Sequence, residues 1–229
     1  MGKIIVKADL HTHTIASGHA FSTIIENIEY GKKRGIETIA ITEHTDGMLG
    51  GANRYYFWNL RNLPDVINGV KIIRGAEANI INNKGELDIE SYWEDYQDLE
   101  LIIASMHSGL IKSPSKEYAT ETYMNVIKNP RVKIIGHPDH IKYDFDMVKV
   151  FEEAKKYGKI IEINNASALV RGTSIERMKM MIGLLKDIGN EISLGSDSHF
   201  ATNIGNFEVV LPLLEEVDFP ADRIYNNKV

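Results

Sequence analysis

Seven short apolar runs rich in β-branched residues, separated by longer stretches of helical period, constrain this chain more than any other feature. They are Ile4–Leu10, Thr38–Ile41, Val70–Arg74, Leu101–Ala104, Val132–Ile135, Ile160–Ile163 and Glu191–Leu194. Runs this uniformly hydrophobic suit strands covered on both faces, which occur in parallel sheets with helices packed outside. The segments Thr23–Arg34, Phe145–Tyr157 and Ile175–Asp187 read as amphipathic helices, the last behind the cap Ser174. Gly35, Gly158 and Gly189 stand just past three helical segments, where a left-handed residue ends a helix, and Asn129-Pro130 stops a fourth. Asn79–Asp88 reads as a polar excursion, a hairpin after the third strand. Seven strand-helix units predict an α/β fold, a distorted (β/α)7 barrel related to the eightfold barrel, with an open doubly wound sheet as the alternative.

Composition bounds the function classes. With 229 residues, 43% hydrophobic and 25% charged, the chain suits a single domain over residues 1–229. A net charge of -6 disfavours a general nucleic-acid binder, because backbone affinity comes from surplus Lys and Arg. The absence of cysteine excludes disulfides and thiolate metal sites. No uncharged apolar stretch approaches the roughly 18 residues of a membrane helix, and the N-terminal run is too short for a secretory leader. The expectation is a cytoplasmic protein with no membrane partner; a homo-oligomer is compatible with the sequence.

The histidines fall in a pattern. Barrel active sites are built at the C-terminal ends of the strands. There the first strand leads to His11 and His13 with His19 beyond, the second to His44, and the third to Glu77. The fourth leads to His107, the fifth to His137, and the seventh to Asp197 and His199. Seven of the eight histidines thus collect at one rim, which scattered surface histidines have no reason to do. Imidazole and carboxylate without thiolate suit zinc, manganese or iron. His140 lies past the rim position that His137 takes and is left out of the ligand set. Ser196 and Ser198 flank Asp197, but the G-x-S-x-G elbow of serine hydrolases is absent, as are the phosphate-binding glycine loops of nucleotide enzymes.

The segments Asp9-Leu10-His11-Thr12-His13-Thr14, Ile41-Thr42-Glu43-His44, Gly75-Ala76-Glu77-Ala78-Asn79 and Gly195-Ser196-Asp197-Ser198-His199 resemble the PHP (polymerase and histidinol phosphatase) superfamily. Ala16-Ser17-Gly18-His19-Ala20-Phe21-Ser22 and Glu162-Ile163-Asn164-Asn165-Ala166-Ser167 are most similar to its YcdX-like phosphatase subgroup. The resemblance implies a sevenfold barrel with three metals, commonly zinc, at the rim. It assigns His11, His13, Glu77 and Asp197 to one ion, Glu77, His107 and His137 to a second, and His19, His44 and His199 to a third. It also implies a hydrolase of phosphoric monoesters in which a hydroxide bridging the metals attacks phosphorus.

Three divalent ions against Glu77 and Asp197 leave a local formal charge of about +4, which calls for an anion such as a small phosphorylated metabolite. Arg171, after the sixth strand, and Arg61, after the second, are the candidate substrate-binding cations. The glycine-rich loop Gly47–Asn53 suggests a mobile rim. The rival readings are a phosphodiesterase or exonuclease acting on nucleic-acid ends and a metal-dependent amidohydrolase. Histidinol phosphate is a narrower substrate within the first chemistry, and nothing in the loops selects it.

Overall fold

The structure, a computed structural model, describes residues 4–112 and 114–229. Its strands are β1 (Ala8–Asp9), β2 (Thr38–Ile41), β3 (Val66–Ile67), β4 (Val70–Asn79), β5 (Leu101–Ser105), β6 (Ile134–Ile135), β7 (Ile160–Asn164) and β8 (Ile192–Gly195). Seven of them pair in parallel in the order β1-β2-β4-β5-β6-β7-β8. This is the sevenfold parallel arrangement read from the sequence, nearly closed into a barrel rather than open. The addition is β3, which runs antiparallel to the start of β4. Asn68 and Gly69, both with positive φ, make the tight turn between them, the chemistry an Asn-Gly pair supplies.

Strand lengths depart from expectation for a geometric reason. β4 continues five residues past Arg74 because it has a different partner along each half of its length. Lys71–Arg74 pairs with β2, and Gly75–Asn79 pairs with β5. The stagger that closes a barrel produces such a split, and it carries Glu77 inside the strand rather than in the loop after it. β1 is reduced to two paired residues beside the seam.

The seam between β8 and β1 is closed without a continuous ladder. Near the site, Thr12 and Ser198 form a parallel bridge, and Asp197 N–H donates to the His11 carbonyl at 2.9 Å. Lower down, the Asn226 side chain stands in for a strand. Its amide donates to the carbonyls of Ala8 and Leu194, both at 2.8 Å, and its oxygen accepts from Leu194 N–H at 2.7 Å.

The helices are α1 (Ile24–Lys33), α2 (Arg54–Asn59), α3 (Lys116–Val126), α4 (Met147–Lys156), α5 (Ser167–Val170), α6 (Ile175–Ile188) and α7 (Val210–Val217). Thr23 and Glu26 form a reciprocal capping box at α1, and Ser174 accepts from Arg177 N–H to cap α6 as read. Gly35, Gly158 and Gly189 have φ of 77°, 63° and 90°, the left-handed values their positions called for. The polar excursion is a short hairpin, with Ile80 bridged antiparallel to Leu87.

Alternate strand residues face inward and outward, and the outward set builds the main core with the helices. The inward set is small. Ala8, Leu10, Ala40, Ile73, Leu101, Ile103, Ile134 and Ile160 fill the lower barrel and are apolar. One layer higher the inward side chains become Glu77, Ser105, Glu162 and Asn164, all fully buried. Burying carboxylates there is costly unless they are paired with positive charge or hydrogen-bond donors. The barrel therefore turns from an oily plug into a polar site within one strand's length.

Candidate metal centre

All nine residues expected at the rim converge there. Glu77 is the centre of the cluster, and its two oxygens face different neighbours. Oε1 lies 2.8 Å from His137 Nε2 and 3.3 Å from His107 Nε2. Oε2 lies 2.7 Å from His44 Nδ1, 3.2 Å from His11 Nε2 and 3.5 Å from His13 Nε2. Asp197 Oδ1 lies 3.2 Å from His13 Nε2 and 3.7 Å from His11 Nε2. At the outer edge, His19 Nε2 and His199 Nε2 stand 3.0 Å apart.

The grouping differs from expectation at His44 and at His13. His44 turns Nδ1 towards Glu77, while its ring stacks on His13 at 4.2 Å and on His19 at 5.0 Å between centroids. Ligand atoms come together in three compact sets: His11, His13 and Asp197; His44, Glu77 and His107; and His13, His44 and His199. His44 thus stands between the groups rather than wholly with His19 and His199, and His13 joins both His11 with Asp197 and His44 with His199.

Hydrogen bonds on the far side of the rings fix how the imidazoles point. His107 Nδ1 lies 2.7 Å from Asn79 Oδ1, whose own amide donates to Thr45 and Asp88. His107 must therefore donate from Nδ1, leaving the Nε2 lone pair towards Glu77. His199 Nδ1 likewise faces the Asp197 carbonyl at 2.9 Å, and His11 Nδ1 faces Glu162 Oε1 at 2.7 Å. The same Glu162 accepts His137 N–H at 2.7 Å through its other oxygen. A strained backbone accompanies these contacts: His137 and Asp197 have φ of 24° and 53°, conformations that cost non-glycine residues about 1–3 kcal/mol each.

Five atoms aimed into the centre are buried and, though close to one another, form no well-directed hydrogen bond among the described residues: His11 Nε2, His13 Nε2, His44 Nδ1, Glu77 Oε2 and Asp197 Oδ1. Orphaned buried polar atoms are rare in proteins, and five converging ones are the arrangement a cation satisfies. The electrostatics agree. Burial opposes the His11 cation, yet Glu162, Glu77 and Asp197 outweigh burial and raise its pKa well above the usual imidazole value. Burial also opposes ionisation of Glu77, but His11, His44 and His107 hold its pKa well below the carboxylate range. Arg171 and His11 do the same for Asp197. The donor set, nitrogen and carboxylate oxygen without thiolate, fits zinc, manganese or iron.

The cluster forms the floor of a cavity of about 680 Å³. Arg171 lines it, but its guanidinium is paired with Asp197 Oδ2 and reaches Asn164 Oδ1 at 3.2 Å. Arg61 is not among the cavity's lining residues. It stacks on the Trp58 ring at 3.6 Å and faces Asp98, because its short helical turn lies on the flank of the barrel rather than at its mouth. His140 does line the cavity; burial, then His137 and Arg171, push its pKa down to about 4, so it is neutral. The glycine-rich rim loop is tied down more than its composition suggested. Gly18 N–H donates to the Gly50 carbonyl at 2.6 Å, and Gly47 N–H donates to Asp88 at 3.0 Å.

The sequence reading gave no role to two carboxylates. Glu162 comes from the one strand that carried no expected ligand, and Glu43 accepts from Thr14 and Ser17, at 2.5 Å and 2.6 Å from their hydroxyls. Ser17 in turn accepts His44 N–H, so Glu43 ties the first loop to the second. The available signal was a charged residue inside a run of isoleucines, Ile160-Ile161-Glu162-Ile163, where a parallel strand leaves no solvated face. Gly195 is glycine for a related reason: a Cβ there would lie 2.2 Å from Glu162 Oε1 and 2.6 Å from His11 Cβ.

The PHP domain profile matches residues 9–167, and the chain belongs to that family. A probable phosphatase of Caldanaerobacter subterraneus subsp. tengcongensis is 42% identical over 99% of this chain and 89% of its own length. The probable phosphatase YcdX of Escherichia fergusonii is 40% identical over 95% of this chain and 89% of its own. Among solved structures, histidinol phosphate phosphatase from Lactococcus lactis subsp. lactis, complexed with zinc, L-histidinol and phosphate, shares the fold at a TM-score of 0.66. Its sequence is 18% identical, and the match covers 93% of this chain and 94% of that one.

Proposed function

We propose that this chain is a metal-dependent phosphoric monoester hydrolase, one PHP-type domain over residues 1–229, acting on a small phosphorylated metabolite. The observation that carries the reading is Glu77, whose two oxygens address two separate groups of imidazoles within a cluster of orphaned buried donors and acceptors. In this reading His11, His13, His19, His44, Glu77, His107, His137, Asp197 and His199 hold three divalent ions, zinc first, with manganese or iron as alternatives. The phosphatase names of full-length relatives, and the zinc and phosphate in the Lactococcus lactis complex, support it.

Such ions, when bound, bring the pKa of water near neutrality and neutralise charge on a phosphoryl group. The chain's own residues do the placing. Glu162 orients His11 and anchors His137, and Asn79 orients His107. Arg171 and Asn164 hold Asp197 Oδ2, which leaves Oδ1 directed at His13 and His11. Glu162 is buried, Arg171 is half-buried, and the two are opposite in charge, so the local excess of about +4 expected from three ions is unchanged by them. That charge selects a phosphate dianion, and in this reading Arg171 and His140, which both line the cavity, are the candidate substrate contacts.

The zinc-loaded protein should turn over p-nitrophenyl phosphate with a kcat/KM about a hundredfold above that for bis(p-nitrophenyl) phosphate, since a second ester removes charge the site is built to bind. The reverse preference would establish the phosphodiesterase reading instead, and inactivity on both would favour the amidohydrolase.

A further inference from the structure

We infer that the substrate is a phosphomonoester whose alcohol part is uncharged and largely apolar, an inference that rests on the monoesterase reading above. The loop after β2 brings Met48 and Leu49 to the cavity, the loop after β5 brings Leu110, and α5 brings Leu169 and Val170. Leu49 is 97% exposed, Leu169 79% and Val170 70%. Single exposed apolar side chains are ordinary on any protein. Here five, from three segments distant in sequence, converge on the one mouth above the histidine floor. Their shared surface is wetted until an apolar group displaces the water, which is the way small-molecule sites gain affinity.

The polar part of the lining points the same way. Asn165, Asn203, Asn206, Ser108 and Ser196 contribute neutral groups to it. Among the described residues that line the cavity, Arg171 is the one Lys or Arg, and it is engaged by Asp197 and Asn164. A second phosphate or a carboxylate on the substrate would therefore meet no free guanidinium or ammonium above the floor. An alkyl or aryl group would meet apolar surface from three loops. The cavity separates one anionic end, held at the floor, from a neutral body, held at the mouth.

The test uses the full-length zinc-loaded protein and the series ethyl, butyl and hexyl phosphate, whose alcohols ionise alike, with butanediol bisphosphate as the doubly charged comparator. The expected result is a kcat/KM that rises about tenfold or more from ethyl to hexyl phosphate, the lower end of what a single methylene contributes in a closed apolar pocket, because an open mouth covers only part of the added chain. Butanediol bisphosphate should fall below butyl phosphate. In a variant carrying L169S and V170S, whose exposed positions should leave thermal unfolding unchanged, the rise along the series should flatten. A flat series in an active wild-type enzyme, or faster turnover of the bisphosphate, overturns this inference and leaves the monoesterase reading standing. An undiminished rise in the double variant overturns the assignment to these side chains. No hydrolysis of any monoester overturns both readings together.

Discussion

Replacing Glu77 by Gln is expected to lower phosphomonoesterase activity by about a thousandfold or more while the barrel stays folded, since on the proposed reading several kcal/mol of charge stabilisation would depend on ions held through it. The substitution preserves size but not valence. A carboxylate can offer one anionic oxygen to each of two cations; an amide offers one neutral oxygen and turns a nitrogen donor towards the other. Oε1 serves His107 and His137, and Oε2 serves His11, His13 and His44, so the amide disrupts one set whichever way it is turned. Bound metal should fall by more than one ion per chain. Circular dichroism checks the fold, and metal analysis with p-nitrophenyl phosphate kinetics checks the rest. Full metal content with activity within tenfold of wild type would remove Glu77 from the centre of the site.

The second large effect is expected at Glu162, which lies behind His11 and His137 instead of facing the cavity. Glu162→Ala strips His11 Nδ1 of its acceptor and leaves His137 N–H buried without one. Removing one partner of a buried charged pair typically costs about 3–5 kcal/mol, so the melting temperature should drop clearly. Glu162→Gln keeps the volume and one acceptor, though its amide nitrogen turns a donor towards the other group, so it should recover only part of the stability. Yet the negative charge that makes His11 a strong donor of electrons is gone, and losses of about 10–100-fold in metal affinity follow from changes at such backing residues. Metal titration of the two variants separates the effects. Equal metal affinity in Glu162→Gln and wild type would reduce Glu162 to a packing role.

The architecture was legible because parallel strands covered on both faces leave uniform apolar runs, and because glycines and N-caps punctuate the helices between them. The candidate site was legible because its side chains are of a rare type and fall at one repeated position, the C-terminal end of a strand. What the sequence reading missed follows from what spacing cannot carry. The antiparallel β3 is two residues long, too short to show a period, although Asn68-Gly69 marks its turn. The extension of β4 past Arg74 depends on the stagger between neighbouring strands, which is a property of the closed sheet. Arg171 and Arg61 were placed by the loops they follow, but their directions were set by partners from elsewhere, Asp197 for one and Trp58 for the other. Glu43 and Glu162 each sit beside residues that were read, and only the packed structure shows that they anchor loops and rings.

The central claim is that the nine converging residues hold a cluster of divalent ions on which phosphomonoesterase activity depends. It is tested most directly by elemental analysis of the purified protein alongside p-nitrophenyl phosphate hydrolysis, before and after chelation and after return of zinc. The expected result is close to three ions per chain, activity lost with the chelator and restored with zinc. One ion or none at saturating zinc, or activity that survives complete removal of metal, would contradict it.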